Sequence, residues 1–84
     1  MNAALTHVLG AEMVANVHSV AVQVGDTVGP SDMVVLLESM KMEIPVLAEV
    51  DGVVAEIAVA PGDAIQEGDV IAVITVRARN GADA

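Results

Sequence analysis

The sequence predicts an all-β domain, a flattened antiparallel barrel or sandwich, on three observations. First, the chain repeats itself. Val17, Val22, Gly25, Asp26 and Asp32 recur 37 residues later as Val54, Val59, Gly62, Asp63 and Asp69. Val20, Val28, Val34, Leu36 and Leu37 recur at the same offset as Ile57, Ile65, Ile71, Val73 and Ile74. Two copies are too few for a solenoid, which needs three or more stacked units, but two copies closing face to face make a small two-fold sandwich. Second, the core must be built from Val, Ile, Leu, Ala and Met, because the chain has no Phe, Tyr or Trp. Val and Ile are stiff at the β-carbon and suit strands. Third, turn residues recur at short, even intervals and no stretch carries a convincing helical stripe.

The elements follow in order. Residues 5–14 are the only helix candidate, and their apolar residues fit a strand equally well. Residues 12–15 are expected to open the first copy as a strand. A strand over 16–24 leads to a turn at Gly25-Asp26, a short bridge around Val28, and a second turn at Gly29-Pro30-Ser31-Asp32. A strand over 33–38 then climbs to a hairpin, and 43–50 returns. Pro45 has no N–H for a ladder, so the returning strand is an edge or bulged there. The second copy repeats the plan. Val and Ile sit at odd positions over 53–59, and Pro61-Gly62-Asp63 makes a turn because proline presets φ and glycine accepts positive φ. A bridge at 64–66, a turn at Glu67-Gly68-Asp69 and a strand over 70–76 complete it. The organisation expected is an N-terminal segment 1–10, one domain over 11–76 and a disordered tail over 77–84, whose last residues are rich in Gly, Ala and Asp.

Composition narrows the function. Eighty-four residues suit a single small domain. A chain of this size buries roughly 60–65% of its unfolded surface, so its core is small. The formal net charge is −9, which repels phosphate backbones and argues against nucleic-acid binding. Excess negative charge also favours solubility and a monomer. Absence of cysteine fits a reducing, cytoplasmic setting. The N-terminus has no basic segment ahead of an apolar stretch, so no secretory signal is read there. The longest apolar run, within 70–76, is far too short to span a membrane. His7 and His18 have no spacing that places them on a shared metal site. The acid pairs Asp26/Asp63 and Asp32/Asp69 read as turn residues carried along by duplication, and no nucleophile or phosphate-binding motif is present, so no catalytic residue is assigned.

One position stands apart. Lys41 is the only lysine in the chain, set between two methionines in Glu38-Ser39-Met40-Lys41-Met42-Glu43. It lies at the hairpin between the repeats, and its counterpart 37 residues on is Ala78, past the last strand. Two readings stand at this point. A hairpin lysine is ordinarily a solvated gatekeeper against edge pairing. Against this, two methionines expose apolar surface that a solubility device avoids, and methionine adapts readily to a partner's apolar pocket. A lone lysine also offers an acylating enzyme a single side-chain target.

The run Glu38-Ser39-Met40-Lys41-Met42 resembles the Glu-Ala/Ser-Met-Lys-Met tip of biotinyl domains, and the likeness extends over about residues 11–76. In the wider biotinyl/lipoyl group, glycines commonly lie sixteen residues before and eleven after the modified lysine; here these are Gly25 and Gly52. With Gly62 they are expected to serve as structural turns. The nearest likeness is to single-domain biotin/lipoyl attachment proteins and the biotin carboxyl carrier. Two departures stand out. Biotinyl domains often open with Ala-Pro-Met-Pro-Gly, where this chain has Ala11-Glu12-Met13-Val14-Ala15. The short turn between Val22 and Val28 leaves no room for the protruding thumb of some acetyl-CoA carboxylase carriers.

The resemblance implies a barrel-sandwich hybrid of two four-stranded antiparallel sheets, with Lys41 between the fourth and fifth strands. It implies biotin attached covalently to Lys41 by a biotin protein ligase that recognises Glu38, Ser39, Met40 and Met42. The domain would be a non-catalytic carrier between biotin carboxylase and carboxyltransferase subunits. Lipoyl hairpins more often read Asp-Lys-Ala or Asp-Lys-Val. A lipoate carrier for a 2-oxo acid dehydrogenase or glycine cleavage is the alternative, and an unmodified barrel binding a protein partner is a third.

Overall fold

The computed structural model describes residues 5–77. It contains eight strands: β1 (Thr6–Gly10), β2 (Ala15–Val20), β3 (Thr27–Val28), β4 (Met33–Ser39), β5 (Met42–Leu47), β6 (Gly52–Ile57), β7 (Ala64–Ile65) and β8 (Val70–Val76). They form two four-stranded antiparallel sheets, ordered β1-β8-β6-β3 and β5-β4-β2-β7. No helix occurs among the described residues. Adding 37 to the bounds of β2, β3 and β4 reproduces those of β6, β7 and β8, and the same operation carries β1 onto β5 within a residue. Each sheet is thus the image of the other.

The core obeys the same operation. Ala11, Val17, Val28, Val34, Val35 and Leu37 are buried, and so are their partners Ala48, Val54, Ile65, Ile71, Ala72 and Ile74. Val34, Val35, Ile71 and Ile74 are wholly shielded from solvent. Burial of stiff, branched side chains from two facing sheets supplies the driving force that aromatic residues provide in other small domains.

Four turns are built alike. The carboxylate Oδ2 of Asp26, Asp32, Asp63 and Asp69 accepts the backbone N–H of the residue three positions earlier, at 2.8–2.9 Å. Gly25 and Gly62 take φ of +97° and +94° just before two of these aspartates, a conformation that costs a side-chain-bearing residue about 1 kcal/mol or more. The acid pairs are therefore turn residues. Gly52, expected in a turn, is instead the buried first residue of β6. Its role is spatial: a β-carbon there would collide with the Thr75 carbonyl oxygen and come within 2.7 Å of Ile74 Cγ2.

Strand boundaries differ from expectation wherever the chain changes sheets. Residues 12–14 are not a strand; they cross from β1 in one sheet to β2 in the other. Residues 21–24 and 58–59 likewise leave β2 and β6, with the Ala21 and Ala58 amides donating to the Val34 and Ile71 carbonyls. Residues 48–50 leave β5, where the Ala48 and Glu49 amides donate to the Asp32 and Pro30 carbonyls. A segment that switches sheets cannot remain in one ladder. Ahead of the domain start expected at residue 11, residues 6–10 pair with β8 from Thr6↔Thr75 to Gly10↔Val70. Pro45 lies on β5, an edge strand, as its missing donor requires. Of the tail expected over 77–84, residues 78–84 lie outside the described residues.

Candidate functional site

The β4–β5 hairpin is in register from Val35↔Val46 to Ser39↔Met42, leaving Met40 and Lys41 as a two-residue turn. Their φ angles are +52° and +68°. Positive φ at both central residues defines the type I′ turn, which matches the right-handed twist of a tight hairpin and normally takes Asn-Gly or Asp-Gly. Here an unbranched apolar residue and a lysine occupy it, at a cost of about 1–2 kcal/mol each. Strain of this kind persists only where surrounding structure enforces it, and it gathers at functional positions. The turn thrusts both side chains away from the sandwich: Met40 is 90% exposed, Met42 is 60% exposed, and Lys41 is exposed between them.

Among the described residues no carboxylate lies within ion-pair distance of Lys41, and His7 Nε2 meets Glu49 Oε1 at 2.8 Å. Glu38 and Glu43 face each other across the hairpin one step below the closing pair. Like charges directly opposite are unfavourable, and their exposure limits the cost. The Ser39 hydroxyl donates to the Val14 carbonyl at 3.3 Å, tying the turn to the segment that crosses from β1 to β2. Glu38, Ser39, Met40, Lys41 and Met42 therefore come together at one end of the molecule. Arg77 lies at the opposite end, lining a cleft with Asp32, where β4 begins, and donating its amide to the Asp51 carbonyl.

Gly25, Gly52 and Gly62 take no part in the tip. His7 is used in its pair with Glu49, and His18 is exposed on β2. Among the described residues no group of three or more His, Cys, Asp or Glu side chains is placed to hold a metal ion. Two features escaped the sequence. The turn type was hidden because Met-Lys is not a turn dipeptide; only the two-residue spacing implies it. The nearness of Val14 to the tip depends on how the two sheets close, which linear spacing does not reveal.

The profile of the biotin/lipoyl family, described as "Biotin-requiring enzyme", matches residues 8–74. This chain belongs to the biotin/lipoyl attachment family. Relatives within that family include the biotinylated protein TB7.3 homolog of Mycobacterium leprae, 60% identical over 77% of this chain and 92% of that one. The biotin/lipoyl attachment protein of Bacillus subtilis is 43% identical over 71% of this chain and 82% of its own length. The biotin-dependent acyl-coenzyme A carboxylase alpha3 subunit of M. leprae is 50% identical over 76% of this chain, which spans only 11% of that subunit. Among solved structures, the urea carboxylase of Kluyveromyces lactis superposes with a TM-score of 0.79 at 32% identity, over 88% of this chain and 6% of the enzyme. The lipoyl domain of the Azotobacter vinelandii 2-oxoglutarate dehydrogenase complex gives 0.65 at 32% identity, over 74% of this chain and 78% of that domain. The two mirrored sheets are thus the biotin/lipoyl attachment fold.

Proposed function

We propose that Lys41 is the acceptor of covalently attached biotin and that the domain is a non-catalytic carrier within a biotin-dependent carboxylase. The observation that carries this reading is the one lysine of the chain held on an exposed, strained two-residue turn between two exposed methionines. The relatives named as biotinylated proteins and the carboxylase subunit support it. An amine with no ion-pair partner among the described residues, on a turn that projects it outward, fits a group attached by an external enzyme.

Lys41 Nζ must be neutral to act as a nucleophile, and a base on a biotin protein ligase is the natural acceptor of its proton. The amine then attacks the acyl carbon of biotinyl-adenylate held by that ligase, forming the amide as the acyl–phosphate bond breaks and AMP leaves. Loss of one positive charge takes the formal net from −9 to −10. Glu38, Ser39, Met40 and Met42 present the polar and thioether surface that the ligase reads. Attached biotin supplies the ring nitrogen that accepts and releases a carboxyl group. The sandwich holds the base of the arm rigid, and tethering raises the local concentration of the cofactor at biotin carboxylase and carboxyltransferase sites without new contacts. The domain acts as a cytoplasmic monomer when alone.

The likeness to a lipoyl domain makes lipoate the second reading. Intact mass after co-expression with a biotin protein ligase, and separately with a lipoyl ligase, decides between them. The expected outcome is one biotinyl group on the wild type, none on Lys41→Arg, and unchanged folding of that variant. Labelling that survives Lys41→Arg removes Lys41 from the role. Lipoylation without biotinylation reverses the assignment of cofactor.

A further inference from the structure

We infer that the segment crossing from β1 to β2, with Val14 as its principal contact, is a second half of the surface on which the biotin-attaching ligase docks. The inference rests on the reading of Lys41 as the biotin acceptor and adds a residue that the hairpin motif does not contain. Val14 is 69% exposed and Met13 is 41% exposed. The Ser39 hydroxyl, next to the turn, donates to the Val14 carbonyl at 3.3 Å. Exposed Val14, Met40 and Met42 therefore share the end of the sandwich that bears Lys41, with Met13 next to Val14 in the chain.

The internal duplication supplies a control for whether the fold itself demands valine there. The position equivalent to Val14 in the second copy is Asp51, and the position equivalent to Met40 is Arg77. Arg77 meets Asp51 through a 2.8 Å backbone hydrogen bond at the other end of the molecule. The same architecture thus carries charged residues at one end and exposed apolar residues at the end that bears the lysine. Exposed valine and methionine in a chain of net charge −9 run against the solubility that the rest of the surface provides. A partner that covers them accounts for their presence.

Reach selects the partner. The ligase must bring its reactive acyl group to within bonding distance of Lys41 Nζ, one lysine side chain away from the turn, so its surface closes over the turn and over Val14 beside it. Enzymes that act on the attached ring meet it a full biotinyl arm further out and press less on this surface. Desolvation of the Val14 side chain then contributes to ligase binding, and replacing it with a charged residue weakens that binding about tenfold.

Steady-state biotinylation of the apo-protein by a biotin protein ligase, with ATP and biotin saturating, tests this. Val14→Asp, the residue of the second copy, raises KM about tenfold and leaves kcat within about twofold. Val14→Thr keeps the shape, guards against a folding defect in the aspartate variant, and raises KM about threefold. Val24→Asp puts the same charge on another exposed valine, in the loop where the Gly25 amide binds the Val54 carbonyl, and leaves KM unchanged. Wild-type KM in folded Val14→Asp and Val14→Thr overturns the proposal, as does a fall in kcat at unchanged KM. Failure of the wild-type protein to gain one biotinyl group by intact mass would instead overturn the underlying assignment of Lys41.

Discussion

Met40 and Lys41 hold adjacent left-handed backbone conformations on the exposed turn. Among the described residues only three without a glycine's freedom have positive φ, and two of them are this adjacent pair. A hairpin selected for stability alone would place Asn-Gly here. The double variant Met40→Asn, Lys41→Gly should therefore raise unfolding free energy by about 1–2 kcal/mol while abolishing modification, a trade between stability and activity of a recurrent kind. Urea denaturation paired with intact mass would check both halves; a less stable double variant would show that the turn is not strained as its dihedral angles indicate. The place of Lys41 on an exposed hairpin turn was legible from the sequence, because the β-rich runs on either side leave it at the bend. The strain was not, since the turn dipeptide names no turn.

At the scale of single elements, the strands show where linear patterns mislead. In β6, Val and Ile at odd positions suggest one face, yet the even-numbered Val54 is buried while Val53 and Ile57 are only half-buried. The β6–β8 register shifts between Val54 and Glu56, and the β2–β4 register shifts at the equivalent Val17 and Ser19. Each irregularity resets the alternation of faces, so that a strict period of two fails in the middle of both strands. The turns were plainer. Gly-Asp marked Gly25-Asp26 and Gly62-Asp63 because aspartate accepts a nearby amide and glycine takes the left-handed conformation. Gly52 looked like a third member of that set and is a packing residue instead. Gly52→Ala should cost roughly 2–3 kcal/mol through overpacking against β8, read as a lower denaturation midpoint with an unchanged m-value. A cost near zero would mean that the two strands separate freely at that point.

The whole molecule is one design used twice. The duplication of 37 residues was visible in the sequence and places six pairs of core residues under one operation. That β1 is the counterpart of β5 was not visible, because Thr6–Gly10 and Met42–Leu47 share little sequence and are related only by their positions at the open edges of the two sheets. With so small a core, no layer is dispensable. Ile71→Ala, at a position with no solvent exposure, should lose about 2–5 kcal/mol, a large share of the stability of a domain this size. Thermal unfolding followed by circular dichroism would register it, and a shift of only a degree or two would indicate that the core collapses around the gap.

The opposed placement of Lys41 and Arg77 has a practical corollary. The seven residues of β4 separate the two ends by about 23 Å. A neighbouring domain, an affinity handle or a sensor surface joined beyond Arg77 would hold the molecule by its base, with the amine facing outward. An enzyme could then reach the turn without steering around whatever anchors the chain.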